Sequence, residues 1–229
     1  MLATTSLLRL LQLASPVLPV GAYSYSEGLE TLISQGIIHN RDTLEDWLVR
    51  SLELGTVRLE AALMLRASQA IIAGNLEQLQ YWNHWATASR ETEELRQQSW
   101  QMGRTLLQLL SELQLDAGEL AISDLLKTCH PINFSIAFGI GVAGWQIDPP
   151  LAVLGYLQSW TTNLINAGIK LIPLGQTTGQ QLLYKLDPIL QITSETILQL
   201  ADDDLVSCSW GLSLASMAHE TQYSRLFRS

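Results

Sequence analysis

Three stretches carry residue types at spacings that could do chemistry. Gly139-Ile140-Gly141-Val142-Ala143-Gly144 spells G-x-G-x-x-G, a pattern that brings backbone N–H groups onto a pyrophosphate when it opens a helix behind a strand. Its flanks argue against that use. Asp148-Pro149-Pro150 interrupts soon afterwards, and no acidic residue stands about 20 positions on to hold a ribose. Close approach between helices explains these glycines better, and a small-molecule or nucleotide enzyme built on 139–144 is the competing reading. Gly175-Gln176-Thr177-Thr178-Gly179-Gln180 lacks the lysine of a phosphate-binding loop and reads as a turn between helices. His219-Glu220 begins like a zinc-protease helix, but Tyr223 stands where the second histidine is needed.

Cys129-His130 with Cys208 and His219 could in principle gather as soft ligands, while His39 and His84 stand alone and read as packing residues. No C-x-x-C spacing appears, and adjacent helical residues point apart, so buried thiols and hydrogen-bonded imidazoles are expected. His219 and Cys208 remain weak metal candidates. No serine stands in a nucleophile elbow, and no carboxylate pair is recognisably isolated among apolar residues. The expectation is a protein that is not an enzyme, with no catalytic residue and no cofactor of its own.

The elements that must position these residues read as helices. Leu7, Leu8, Leu10 and Leu11 form a short apolar helix closed by Pro16. Asp42-Thr43-Leu44-Glu45 reads as a capping box, opening a long helix that runs through Trp47, Leu52, Leu59 and Leu63 towards Gly74. Asn75 opens the next, and Glu91 to Leu113 gives another. Asp148-Pro149-Pro150 is an N-cap followed by proline at the first helical position, and Asp187-Pro188 repeats that signal before Ile189 to Leu200. Leu115 to Gly118 and Asp202 to Asp204 read as loops. The pattern predicts one all-α domain over 1–229, a helical bundle with an N-terminal segment 1–30 and a C-terminal tail 205–229.

Of the 229 residues, 47% are hydrophobic and only 15% charged, against a usual charged share of about 25%. Thirteen Lys plus Arg against 22 Asp plus Glu leave a net charge of −9, which disfavours nucleic acid and anionic membranes as partners. Two cysteines and an opening without a secretory n-region predict a cytoplasmic protein. The uncharged runs 128–147 and 149–169 are broken by His130, Pro131 and Asn133, and by Gln158, Asn163 and Asn166, so no membrane span is expected. From Thr128 to Ala201 the only charged residues are Asp148, Lys170, Lys185, Asp187 and Glu195. Helices this poor in charge are either central or covered by another chain. That predicts a homodimer in which helices of 132–200 supply core and contact surface. The tail, A-H-E-T-Q-Y-S-R-L-F-R-S from Ala218, combines Arg225 and Arg228 with Tyr223, Leu226 and Phe227, the residue types of interface anchors. It is expected to be mobile in the isolated chain and to order on a partner.

Three segments together resemble one family. Leu11 to Glu30, which reads L-Q-L-A-S-P-V-L-P-V-G-A-Y-S-Y-S-E-G-L-E, resembles the opening signature of the UreF urease accessory proteins. Leu171-Ile172-Pro173-Leu174-Gly175-Gln176, with Gly179-Gln180, resembles the second, and Met217 to Ser229 the third. They occur in the family's order across nearly the whole chain, while 37–125 carries little motif. Tyr23 and Glu27 replace the common Phe and Gln, and Lys170 stands where Arg is frequent, losing a planar fork.

The resemblance implies an all-α, dimer-forming, non-catalytic scaffold in the insertion of nickel into apo-urease. Its implied partners are a UreD/UreH-like accessory protein and the GTPase UreG, with nickel and GTP handled by the complex. On the matching positions it implies partner contacts at Tyr23, Ser24, Tyr25, Lys170, Gln176, His219, Glu220, Tyr223, Arg225, Leu226, Phe227 and Arg228.

Overall fold

The computed structural model describes residues 2–115, 122–207 and 209–229, so Cys208 and most of the predicted 115–118 loop lie outside the described residues. In chain order the helices are α1 (Leu2–Leu13), α2 (Leu29–Ser34), α3 (Arg41–Leu54), α4 (Thr56–Ile72), α5 (Leu76–Ala88), α6 (Glu93–Glu112), α7 (Ile122–Thr128), α8 (Phe134–Gly144), α9 (Pro149–Leu171), α10 (Gln176–Leu198) and α11 (Trp210–Glu220), with 3-10 turns at Ala22–Ser24 and Asp202–Asp204. No strand occurs among the described residues, and the fold is all-α.

Three local expectations are corrected. The cap of α3 is Asn40, whose side chain accepts the Thr43 N–H at 2.9 Å while Thr43 Oγ1 accepts the Asn40 N–H. Asp42 lies in the first turn, and Glu45 instead pairs with Lys185 on α10 at 2.5 Å. The long helix towards Gly74 breaks at Gly55, where an added Cβ would lie 2.5 Å from the Ser51 carbonyl oxygen. Only a residue without Cβ allows the chain to leave α3 and begin α4 there. Pro188 does not start a helix; it lies inside α10. Asp187 and Pro188 are exposed, on a side where water can satisfy the Tyr184 carbonyl that loses its N–H partner. By contrast Asn75 caps α5 as expected, and Pro149 and Pro150 open α9.

The centre is the pair α4 and α8, flanked by α6 and α9. Helix α8 is apolar all round, the pattern of a helix buried on every side, and Ile136, Ala137, Phe138 and Ile140 are fully buried. Gly139 permits the crossing, because a Cβ there would meet the Met64 carbonyl oxygen at 2.4 Å. The G-x-G-x-x-G stretch thus lies inside a helix whose backbone N–H groups are already engaged, and it cannot cradle a phosphate. A second apolar cluster joins Leu29, Leu44, Leu48, Leu164, Leu182 and Phe227. Trp160 packs against both clusters.

Candidate functional site

After α11 the chain turns back over α2, and residues 221–229 dock on the body. Glu30, in the first turn of α2, accepts the backbone N–H groups of Leu226 at 2.7 Å and Phe227 at 2.9 Å on its two carboxylate oxygens. The Arg228 N–H donates to the Ser24 carbonyl at 2.8 Å, and Ser26 donates both its N–H and its hydroxyl to the Ser229 carbonyl at 2.7 Å. Phe227 is 5% exposed, and Lys170 Nζ stands 5.5 Å from its ring centroid. Beneath the turn His219 is fully buried between two carboxylates, Nδ1 at 2.7 Å from Glu94 and Nε2 at 3.4 Å from Glu30. Arg225 closes the other side of Glu94 at 2.6 Å. Hydrogen bonds to a charged acceptor are each worth about 1.5–3 kcal/mol, and burying a phenylalanine a similar amount.

This arrangement differs from the mobile tail expected from composition. Glu30 and the pocket for Phe227 come from α2 and α9, far away in sequence, and no property of 219–229 alone reveals them. The named residues therefore divide. Phe227, His219 and Tyr25 point inward and are buried in their own chain; Lys170 covers Phe227, and Ser24 holds Arg228. Tyr23, Glu220, Tyr223, Leu226 and Arg228 are exposed. Gln176 stands exposed at the start of α10, and no hydrogen bond or ion pair joins it to this cluster. As a metal ligand His219 is poorly placed, because both ring nitrogens face carboxylates on opposite sides. Among the described residues no group of three or more His, Cys, Asp or Glu could hold a metal ion.

Below the docked segment lies a buried polar seam that sequence reasoning missed. Glu27 accepts from Gln98 Nε2 at 3.0 Å and from Trp160 Nε1 at 2.9 Å. Glu60 accepts from Arg90 and from the Tyr156 hydroxyl, the latter at 2.8 Å. Burial first, then the Glu60 carboxylate, pushes the Glu27 acid up to about 7, against the opposing Trp160 hydrogen bond, Arg90 charge and Gln98 hydrogen bond. Burial works against the Arg90 cation, yet Glu60, followed by Tyr156 and Glu27, holds its pKa above the ordinary value. Burial and then Glu60 raise the Tyr156 phenol well above its usual range. The two carboxylates are brought together with Arg90, Gln98, Tyr156 and Trp160 only by the fold, a pairing that sequence alone does not flag. The available signal was Glu60 itself, alone within Leu59-Glu60-Ala61-Ala62-Leu63-Met64.

The surface over this site carries several exposed apolar side chains. Trp210, Leu214 and Met217 recur at helical spacing on the outer face of α11, with Trp210 77% exposed, and Tyr223 and Leu226 lie beyond them. The UreF family model matches residues 38–187. The chain belongs to the UreF family. A urease accessory protein UreF from Microcystis aeruginosa is 58% identical over 229 residues, covering all of both chains. One from Trichormus variabilis is 57% identical over 222 residues, covering 97% of this chain and 95% of its own. Another, from Nitrosococcus oceani, is 44% identical over 224 residues, 98% and 99% of the two chains. The UreF match includes 37–125 almost entirely, the region that carried little recognisable motif. It leaves out both end segments that carried the resemblance, and those are covered by the near full-length relatives.

Proposed function

We propose that this chain is a non-catalytic scaffold of urease maturation. With a UreD/UreH-like protein and the GTPase UreG it promotes GTP-dependent insertion of nickel into apo-urease, in the cytoplasm. Nickel and GTP are cargo and fuel of the assembly and need no resident cofactor in this chain. Family membership supports the maturation role. The observation that carries the scaffold reading is the outward stripe Trp210, Leu214 and Met217 with Tyr223 and Leu226, which has no cover in the monomer. Exposed apolar side chains recurring along one helix face suit a partner protein, and exposed Trp and Tyr are the residue types of binding hot spots. Arg228 and Glu220 supply a polar rim. No helix among the described residues is long and apolar enough to cross a membrane.

Homodimer formation is part of the same proposal. Helix α8 is buried in the monomer and has no free face, so the contact falls to exposed apolar residues such as Leu7, Leu8 and Leu11 on α1, or Tyr184 and Ile192 on α10. The test is co-purification with the UreD/UreH-like partner. Leu214→Asp together with Met217→Asp should weaken capture at least about tenfold, since two hot-spot losses exceed 1.4 kcal/mol, while circular dichroism stays unchanged. Full-strength capture by that variant would remove α11 from the partner surface.

A further inference from the structure

Three indoles and a carboxylate converge where α3, α4, α9 and α11 meet. A cleft of about 320 Å³ opens there, lined by Trp47 of α3, Trp160 of α9, Trp210 of α11 and Glu27 from the turn before α2. Gly211 lets the start of α11 close on α3, since an added Cβ would lie 3.1 Å from Trp47 Cζ3. Trp210, 77% exposed, also begins the apolar stripe of α11, so cleft and stripe form one surface.

The acidic groups of this cleft lack a counter-ion. Glu27 accepts from neutral donors only, Gln98 Nε2 on one oxygen and Trp160 Nε1 on the other. Arg90, the cation of the buried seam, is held by Glu60 and Ser99. Arg50 of α3 also lines the cleft, but it is exposed and no ion pair joins it to Glu27. Glu91 stands beside the cleft: its Oε1 accepts from Thr56, a lining residue, while its Oε2 is buried with no hydrogen-bond partner.

Carboxylates with unfilled acceptor positions, walled by indoles, suit a cation that carries several N–H groups and a face that stacks. Arginine has both, being planar, forked and weakly hydrated; lysine is a strongly hydrated point charge and gains less from indole walls.

We infer that this cleft is the socket for one arginine side chain of the protein that covers the α11 stripe, with Glu27 as its counter-ion and Trp47, Trp160 and Trp210 as its walls. The inference rests on the scaffold reading, which supplies the partner, and adds the charge that fixes the partner's register on the stripe. The net charge of −9 favours a basic face on that partner.

A double-mutant cycle with the full chain and the UreD/UreH-like protein tests it. Each exposed arginine of the UreD/UreH-like protein is replaced by alanine, and the dissociation constant is measured against wild type and against Glu27→Gln. One replacement should weaken the wild-type complex at least about tenfold, and that loss should nearly vanish against Glu27→Gln, because close charge pairs couple by a factor of ten or more. The same arginine should couple to Trp210→Ala, a surface substitution that leaves the core intact and so stands in if Glu27→Gln folds poorly. No arginine coupling to either position overturns the inference, and so does a lysine or an apolar residue coupling in its place. The Leu214→Asp, Met217→Asp variant separates this failure from failure of the scaffold surface. Lost capture by that variant with no coupled arginine leaves the stripe and removes the socket; full-strength capture with a coupled arginine removes the stripe and keeps the socket.

Discussion

The crossing of α4 and α8 permits a sharp test with two neighbouring glycines. In Gly139→Ala the new Cβ would lie 2.4 Å from the Met64 carbonyl oxygen and 2.8 Å from Ala67 Cβ. The first obstacle is backbone, so relief requires the two helices to separate by roughly 1 Å at their closest point, and overpacking of that kind costs about 1–3 kcal/mol. In Gly141→Ala the nearest atoms are Leu110 Cδ1 at 3.4 Å and the Leu13 methyls at 3.5 Å, ordinary contact. There the gain in helix propensity, up to about 1 kcal/mol, should dominate. Urea denaturation should thus find Gly139→Ala less stable and Gly141→Ala as stable as wild type or more so. Equal effects at both positions would refute the close-approach account, and loss of nucleotide binding without any change in stability would revive the enzyme reading.

Glu30→Ala strips the acceptor from two backbone N–H groups and one carboxylate from beside His219, so it should cost about 2–4 kcal/mol or release residues 221–229, measurable by limited proteolysis. Arg225→Ala, at a half-exposed ion pair with Glu94, should cost the fold under about 1 kcal/mol in thermal melts. Glu27 sets a pH dependence of global stability. Its acid is raised on folding, so its contribution is fully present below pH 4.5 and is lost as pH rises through about 7. The loss is on the order of 3 kcal/mol and should be absent in Glu27→Gln melts.

Periodicity and cap chemistry made the helical class legible, and with it the starts of α5 and α9. Boundaries failed where side chains could satisfy more than one rule. Asp42 has cap chemistry, but Asn40 two residues earlier has it too, with Thr43 correctly spaced to reciprocate. Pro188 after an aspartate imitates a helix start, and only its place on an exposed face shows that the helix can pass through it. Gly55 interrupts an unbroken apolar pattern because of a contact with Ser51 that no hydropathy reading contains. At the site, local sequence marked the tail's anchors but not their destination. Phe227 fills a pocket built from α2 and α9, and Glu30, Glu94 and Gln98 reach it from helices more than 100 residues away in sequence. The buried seam was hidden for the same reason, since Glu27 and Glu60 acquire their isolation only when α4 and α9 close around them.

The most direct test of the scaffold account is urease activation in cells that express apo-urease, the UreD/UreH-like protein and UreG with nickel supplied, with and without this chain. The account predicts that without it urease accumulates as nickel-poor, inactive enzyme and that adding it restores both metal content and activity. It also predicts that the Leu214→Asp, Met217→Asp double variant, although folded, does not. Full nickel loading in the absence of the chain, or full rescue by a variant unable to bind its partner, would contradict it.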